Sequence, residues 1–150
     1  VLKALLSATA ASVITSSVLA GDIMIQGPYA RVASKSAKSG AAFMTIHNHS
    51  SESDVLISVA STVAKKVELH THKEIDDVMK MIKLENGIVI PGLGHYALTR
   101  GGDHVMFMGL TQSLRHGDEI TVTLIFERSG SIEVTIPVDL KRKDKVKHDH

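Results

Sequence analysis

The stretch 119–140, EITVTLIFERSGSIEVTIPVDL, contains two runs of β-branched and apolar residues on either side of the short polar segment ERSG. That segment is a hairpin turn signal, so the stretch predicts two consecutive antiparallel strands. Similar short runs, separated by Gly, Asn, Asp and Ser, occupy most of the chain after residue 40, and none of convincing length has a helical period. The pattern predicts an all-β sandwich or barrel.

About eight or nine strands are expected from these runs. They are 41–49, 54–61, 65–72, 78–84, a strand within 86–92, 95–100, 104–110, 119–126 and 131–140. The segment 31–42, RVASKSAKSGAA, is rich in Ser, Lys and Ala and is predicted to be an exposed loop.

The composition limits the function of the chain. Its 150 residues with 43% hydrophobic content suffice for one globular domain. A net charge of +1 and an aromatic content of 3% without Trp argue against a nucleic-acid partner. The sequence has no Cys, which excludes disulfides, zinc–thiolate sites, thiol nucleophiles and a blue-copper centre.

The two ends of the sequence differ from its body. Residues 1–20 carry Lys3, an apolar run and small residues before Gly21, which predicts a signal peptide cleaved after Ala20 and export to the periplasm. A transmembrane anchor is the alternative, but the run is short and rich in Ser and Thr. Asp22 stands where a lipoprotein would need its Cys, so a mature chain without membrane insertion is expected. The domain is predicted to span 21–140, followed by a charged, disordered tail at 141–150.

Histidines and methionines occur in pairs two residues apart, and such residues share one face of a strand. Imidazole is a borderline ligand and thioether is a soft one, so a mixed set held between neighbouring strands selects Cu(I) over harder ions. Thioethers also resist oxidation outside the cytoplasm better than thiolates do. The pairs are His70 and His72, Met79 and Met81, and His104 and Met106, with Met108 one step further along the last strand.

Each of these residues also has an ordinary structural interpretation. A Met in a β-sandwich usually fills the core, and Met108, beside Phe107, fits that role. A single His on a strand is usually a surface residue or a hydrogen-bonded structural one. That interpretation is the expected one for His47, His49, His95 and His116.

The spacing of the donors resembles that of the periplasmic copper chaperones of the PCuAC type. His70 is followed after ten residues by Met81, and after twenty-two more by His104 and Met106. The words VELHTH, VMKM, IPG, HVMFMGL and GDEITVTLIFE resemble the family as well, and the likeness extends from about residue 25 to 138.

The resemblance implies a cupredoxin-like Greek-key β-sandwich that carries one Cu(I) at an exposed edge. His70, Met81, His104 and Met106 would be its ligands, while His72 and Met79 would lie close enough to support them or to pass the ion on. The implied role is that of a monomeric chaperone, not an enzyme. It would deliver copper to a periplasmic or membrane protein, such as the copper subunit of cytochrome oxidase or another chaperone.

Two features fall outside this pattern. Asp103 precedes His104 where the family often has an apolar residue, so the shielding of the ion or its exit route is expected to differ. The tail holds His148 and His150, a pair that could bind Cu(II) together with a carboxylate.

Two other functions compete with copper transfer. The first is a periplasmic adhesion or assembly module whose methionines pack the core. The second is a copper oxidoreductase, for which no acid/base pair is evident in the sequence.

Overall fold

A computed structural model describes residues 17–143. Every element of regular secondary structure in that range is a β-strand, which confirms the predicted all-β class. The strands are β1 (Ser17–Ala20), β2 (Ile23–Val32), β3 (Ser39–Asn48), β4 (Asp54–Ala60), β5 (Ala64–Ile75), β6 (Val78–Lys83), β7 (Ile88–Ile90), β8 (His95–Leu98), β9 (His104–Leu110), β10 (Glu119–Phe126) and β11 (Gly130–Pro137). Residues 17–143 contain no helix long and apolar enough to cross a membrane.

The strands form two antiparallel sheets, so the structure is a sandwich rather than a barrel. The larger sheet has the order β1-β2-β3-β9-β5-β6, with β8 paired to the second half of β3. The smaller sheet has the order β11-β10-β4-β7. Apolar side chains from both sheets pack into one buried core, among them Ile46, Phe107, Leu124 and Val134. The predicted hairpin in 119–140 is confirmed, since Phe126 pairs with Gly130 across ERSG.

Half of the segment predicted as a long exposed loop is strand. Val32 ends β2 and Ser39 begins β3, so only residues 33–38 connect them. The prediction missed β2 because its alternation is broken: the register shifts between Gln26 and Tyr29, where Gly27 has φ +59° and Pro28 lacks an N–H.

The connection between β5 and β6 is shorter than predicted. The predicted strands 65–72 and 78–84 leave residues 73–77 between them, but β5 continues to Ile75 and β6 starts at Val78. Asp76 and Asp77 alone make the turn, with φ of +52° and +61°. Two successive residues with positive φ are typical of a tight hairpin turn, for which Asp is one of the tolerated residues. The two strands therefore stay paired up to their ends.

The described range reaches only part of the two predicted end segments. Ser17–Ala20, at the end of the predicted signal peptide, pairs with β2 through residues 23–26. The rest of that peptide and residues 144–150 of the tail, including His148 and His150, lie outside the described residues. Cleavage after Ala20 stays a prediction.

Asp54 joins the ERSG turn to the start of β4. It is buried, and its carboxylate accepts hydrogen bonds from the backbone N–H of Val55, Arg128 and Ser129 at 2.8 to 3.0 Å. The Ser129 hydroxyl donates a further bond at 2.6 Å. Burial alone would raise the pKa of Asp54, but these bonds outweigh it and hold the pKa below its ordinary value.

Asp54→Ala is expected to lower the free energy of unfolding by about 3 kcal/mol at pH 7, because buried donors would lose their charged acceptor. The native pKa lies below the unfolded one, so this stabilisation is present above the ordinary carboxyl pKa and is lost as the pH falls through the native pKa. Urea unfolding at several pH values measures it. A difference between wild type and variant that does not shrink in acid would contradict the role of the charge.

Candidate metal centre

The donor residues lie on the outer face of the larger sheet, where β9, β5 and β6 are neighbours. Three direct cross-strand pairs bring them together. His70 faces His104, His72 faces Met81, and Glu68 faces Met106. The side chains of Leu69 and Val105 point the other way into the core, so alternation alone puts the donors outside. The predicted shared faces are therefore present, at the side of the sheet where β6 is the edge strand.

A cavity of about 390 Å³ opens on this face. Met81, His104 and Met106 line it, and so does His72. The rest of the wall comes mostly from β2, β3 and the loop after β8, namely Arg31, Val32, Ala33, Ser39, Gly40, Ala41, Phe43, Arg100 and Gly101. Three of the four predicted ligands thus share one cavity.

His104 is held in the orientation that a metal ligand needs. The side chain is buried, and its Nδ1–H donates to the Gly102 carbonyl at 3.0 Å, which leaves the lone pair on Nε2. Burial lowers the pKa of His104, the bond to Gly102 partly opposes this, and the nearby imidazoles of His72 and His70 lower the pKa further. The imidazole is therefore neutral at pH 7 and can donate its lone pair.

His70 has a hydrogen-bond partner on one ring nitrogen and, among the described residues, none on the other. Its Nε2–H donates to Glu68 at 2.9 Å. That bond is the largest cause of the lowered pKa of Glu68. Burial opposes it, and the charges of Lys83 and Lys66 lower the pKa further. Nδ1 of His70 is buried and has no hydrogen-bond partner among the described residues. A buried polar atom without a partner is costly, and a bound ion would relieve that cost.

The two histidines of β5 occupy different positions. The ring centroids of His70 and His104 are 6.2 Å apart, whereas those of His72 and His104 are 5.2 Å apart. His70 does not line the cavity, and His72 does. The ring of His72 is therefore nearer to that of His104 than the ring of His70 is, although the family spacing selects His70 as the ligand.

The methionines are mostly outside the core. Met44 is the one methionine of the described range in the buried core, at 3% exposure. Met81 is 49% exposed and Met79 is 62% exposed, so neither fills the core. The interpretation of Met108 as a core residue is wrong: it is half-buried and shares the outer face with Met106, because residues two apart point the same way.

Asp103 is turned away from the cavity. Its carboxylate accepts a short hydrogen bond from the Tyr96 hydroxyl on β8. That bond, with burial and the charge of Asp103, raises the pKa of Tyr96 to about 12. Asp103 thus anchors the loop between β8 and β9, immediately before His104.

Arg31 and Phe43 were missed in the sequence because they lie far from the His/Met pairs, and Arg100, close to His104 in sequence, carries no spacing signal. Arg31 brings positive charge to the wall, and no carboxylate from the described part of the chain lines the cavity. Within residues 17–143, no group of three or more His, Cys, Asp or Glu is placed to hold a metal ion. A site on this face therefore needs the methionine sulfurs.

Comparison with known proteins gives matches over most of the chain. Residues 23–138 match the family described as "Putative lipoprotein LpqE-like". A protein of Leifsonia xyli subsp. xyli named "Putative lipoprotein Lxx21020" is 33% identical over 106 residues. Those residues are 69% of this chain and 64% of that protein, so the chain spans less than two thirds of that relative's length.

Solved structures agree with this assignment. Apo-DR1885 from Deinococcus radiodurans is 27% identical with a TM-score of 0.62, covering 93% of each chain. CuI-DR1885 is 29% identical with a TM-score of 0.61, covering 78% of each. The copper-bound PCuAC domain from PmoF2 shows the same fold, with a TM-score of 0.69 at 23% identity, covering 83% of this chain and 98% of that domain. The chain therefore belongs to the LpqE-like family, and it has the cupredoxin-like β-sandwich fold of the PCuAC domains and of DR1885.

Proposed function

We propose that this protein is an exported carrier of one Cu(I), which it holds through His70, Met81, His104 and Met106 and passes to a copper-requiring acceptor. The observation that supports this most strongly is the hydrogen bonding of the two buried histidines. Each donates one ring N–H to a fixed acceptor, His70 to Glu68 and His104 to the Gly102 carbonyl. Histidines that bind metals are usually oriented in this way, with the other nitrogen left for the ion.

The charges around the cavity favour Cu(I) over divalent ions. All four proposed ligands are neutral when they bind, and thioether sulfur is a soft donor. Arg31 lines the wall, and at equal distance its repulsion is twice as strong for a divalent ion as for a monovalent one. Binding through neutral ligands releases no proton from the thioethers, so the ion can also leave without reprotonation of a thiolate.

The exposure of Met81 supports transfer to a partner. This side chain is 49% exposed, so an acceptor could replace it without unfolding the sheet. His72 lies directly opposite on β5 and lines the same cavity, which suits a ligand that takes over during transfer. Met79 is further out towards the hairpin turn, opposite Glu74, and does not line the cavity. The proposed acceptors are the copper subunit of cytochrome oxidase or another copper chaperone.

Support for export comes from the relatives, which are named as lipoproteins. The proposed organisation is a signal peptide at 1–20, the copper-binding domain at 21–140 and a tail at 141–150. We propose the periplasm as the site of action. Cu(II) binding by His148 and His150 is a separate proposal, since both lie outside the described residues.

The Met81→Ala variant separates this function from that of an adhesion or assembly module. Because Met81 is half exposed, the substitution is expected to change the free energy of unfolding by less than about 1 kcal/mol. It should weaken Cu(I) binding by about 10- to 100-fold, because one soft ligand is lost. Competition with a Cu(I) chelator and urea unfolding measure the two quantities.

Met79→Ala is the matched control, since it removes the neighbouring methionine of the same strand. It should leave both quantities close to those of wild type. A loss of about 2 to 5 kcal/mol in Met81→Ala, with melting independent of Cu(I), would instead indicate a packing role.

A further inference from the structure

Three histidines form a second cluster at the other end of β3, which the proposed function does not use. We call His47, His49 and His95 the histidine patch. His47 and His95 are direct cross-strand partners on β3 and β8. His47 shares its strand face with Ala41 of the cavity wall but lies six residues further along, about 20 Å away. The patch is therefore separate from the His/Met cavity.

The rings of the patch are close enough to share an ion. With a metal–nitrogen bond of about 2 Å, two imidazoles on one ion have centroids up to roughly 6.5 Å apart. The centroids of His47 and His95 are 5.5 Å apart, within that limit. Those of His47 and His49 are 6.4 Å apart, at the limit.

His47 is oriented and neutral in the way a ligand requires. Its Nε2 is 2.7 Å from the Gln26 side-chain oxygen, which can only accept, so Nε2–H donates and Nδ1 carries the lone pair. Burial lowers the pKa of His47, and the imidazoles of His95 and His49 lower it further. Among the described residues, no Asp or Glu forms an ion pair with a histidine of the patch. Ion pairing therefore does not explain why the three rings cluster.

We infer that His47 and His95 form a second metal site that takes Cu(II) through two imidazole nitrogens. Imidazole suits copper, and among divalent first-row metals Cu(II) binds a given nitrogen site most tightly. The patch is open to solvent, so water can complete the tetragonal coordination that Cu(II) prefers. Unlike the His/Met cavity, this second site would bind its ion through protein nitrogens alone.

The test is a Cu(II) titration followed by electron paramagnetic resonance. The full-length protein carries His148→Ala and His150→Ala, which remove the tail histidines from the measurement. One equivalent of Cu(II) should bind with nitrogen hyperfine structure. Adding His47→Ala and His95→Ala should weaken this binding by about 100-fold, whereas adding His116→Ala, which removes a half-exposed imidazole elsewhere, should not.

Equal Cu(II) affinity with and without the His47→Ala and His95→Ala substitutions would overturn the inference. Loss of the Cu(II) signal on Met81→Ala instead would also overturn it, because the ion would then occupy the cavity. Cu(I) binding in the patch variant, measured by chelator competition, should equal that of wild type. The proposal of a second site can therefore be refuted while the proposed Cu(I) carrier function stands, and the reverse also holds.

Discussion

Replacing His104 by alanine is expected to lower the affinity for Cu(I) by at least about 100-fold, the largest effect of any single substitution in the cavity. His104 lies at the centre of the donor set: it faces His70 across the strands, and its ring centroid is 5.2 Å from that of His72. Both neighbours would therefore lose a nearby imidazole with which to share the ion. Chelator competition with Cu(I) measures the loss.

The fold should survive this substitution, although His104 is buried. Its side chain lies on the outer face, and the core contacts of β9 come from Val105 and Phe107. Circular dichroism of the variant should match that of wild type. The companion variants His70→Ala and His72→Ala then assign the second nitrogen. His70→Ala should lose affinity strongly, and His72→Ala should retain it but transfer the ion more slowly. The reverse order of affinities would make His72 the ligand.

Phe107→Ala is expected to lower the free energy of unfolding by about 4 kcal/mol, because a large buried side chain is removed and a cavity is left. Phe107 is fully buried between Met106 and Met108 on β9. Native proteins typically have a free energy of unfolding of only about 5 to 15 kcal/mol, so such a loss is a large part of the stability of the domain. Urea unfolding of the metal-free protein measures it.

Met108→Ala is the control on the same strand, since its side chain is only half-buried on the outer face. It should cost less than about 1 kcal/mol. Because Cu(I) is expected to bind only the folded protein, saturating Cu(I) should raise the free energy of unfolding of the Phe107→Ala variant. If Phe107→Ala and Met108→Ala cost the same, the inward and outward assignment of β9 would be wrong.

Strand alternation was enough to predict most of the fold. The strands from β3 to β11 follow runs of β-branched and apolar residues, and the ERSG turn lies where the sequence places it. Alternation failed for β2, where Gly27 and Pro28 interrupt the period. It also misjudged the turn between β5 and β6, because Asp76 and Asp77 adopt positive φ and let both strands run further.

The same rule correctly predicted which donors share a face, but not which strands are neighbours. The pairing of His70 with His104 and of His72 with Met81 depends on β9 and β5 lying side by side, and local spacing carries no information about that order. Arg31 and Phe43 reach the cavity from strands distant in sequence, so only the fold reveals them. The histidine patch was hidden for the same reason, because His47 and His95 meet only when β8 pairs with β3.

X-ray absorption at the copper K-edge, on mature protein loaded with one equivalent of Cu(I), identifies the donor atoms around the ion. Sulfur and nitrogen neighbours differ in scattering strength and in distance from the ion. We expect both sulfur and nitrogen around copper, from Met81 and Met106 and from two imidazoles. Met81→Ala should lose part of the sulfur signal. A copper environment of nitrogen and oxygen alone would rule out the proposed His/Met site.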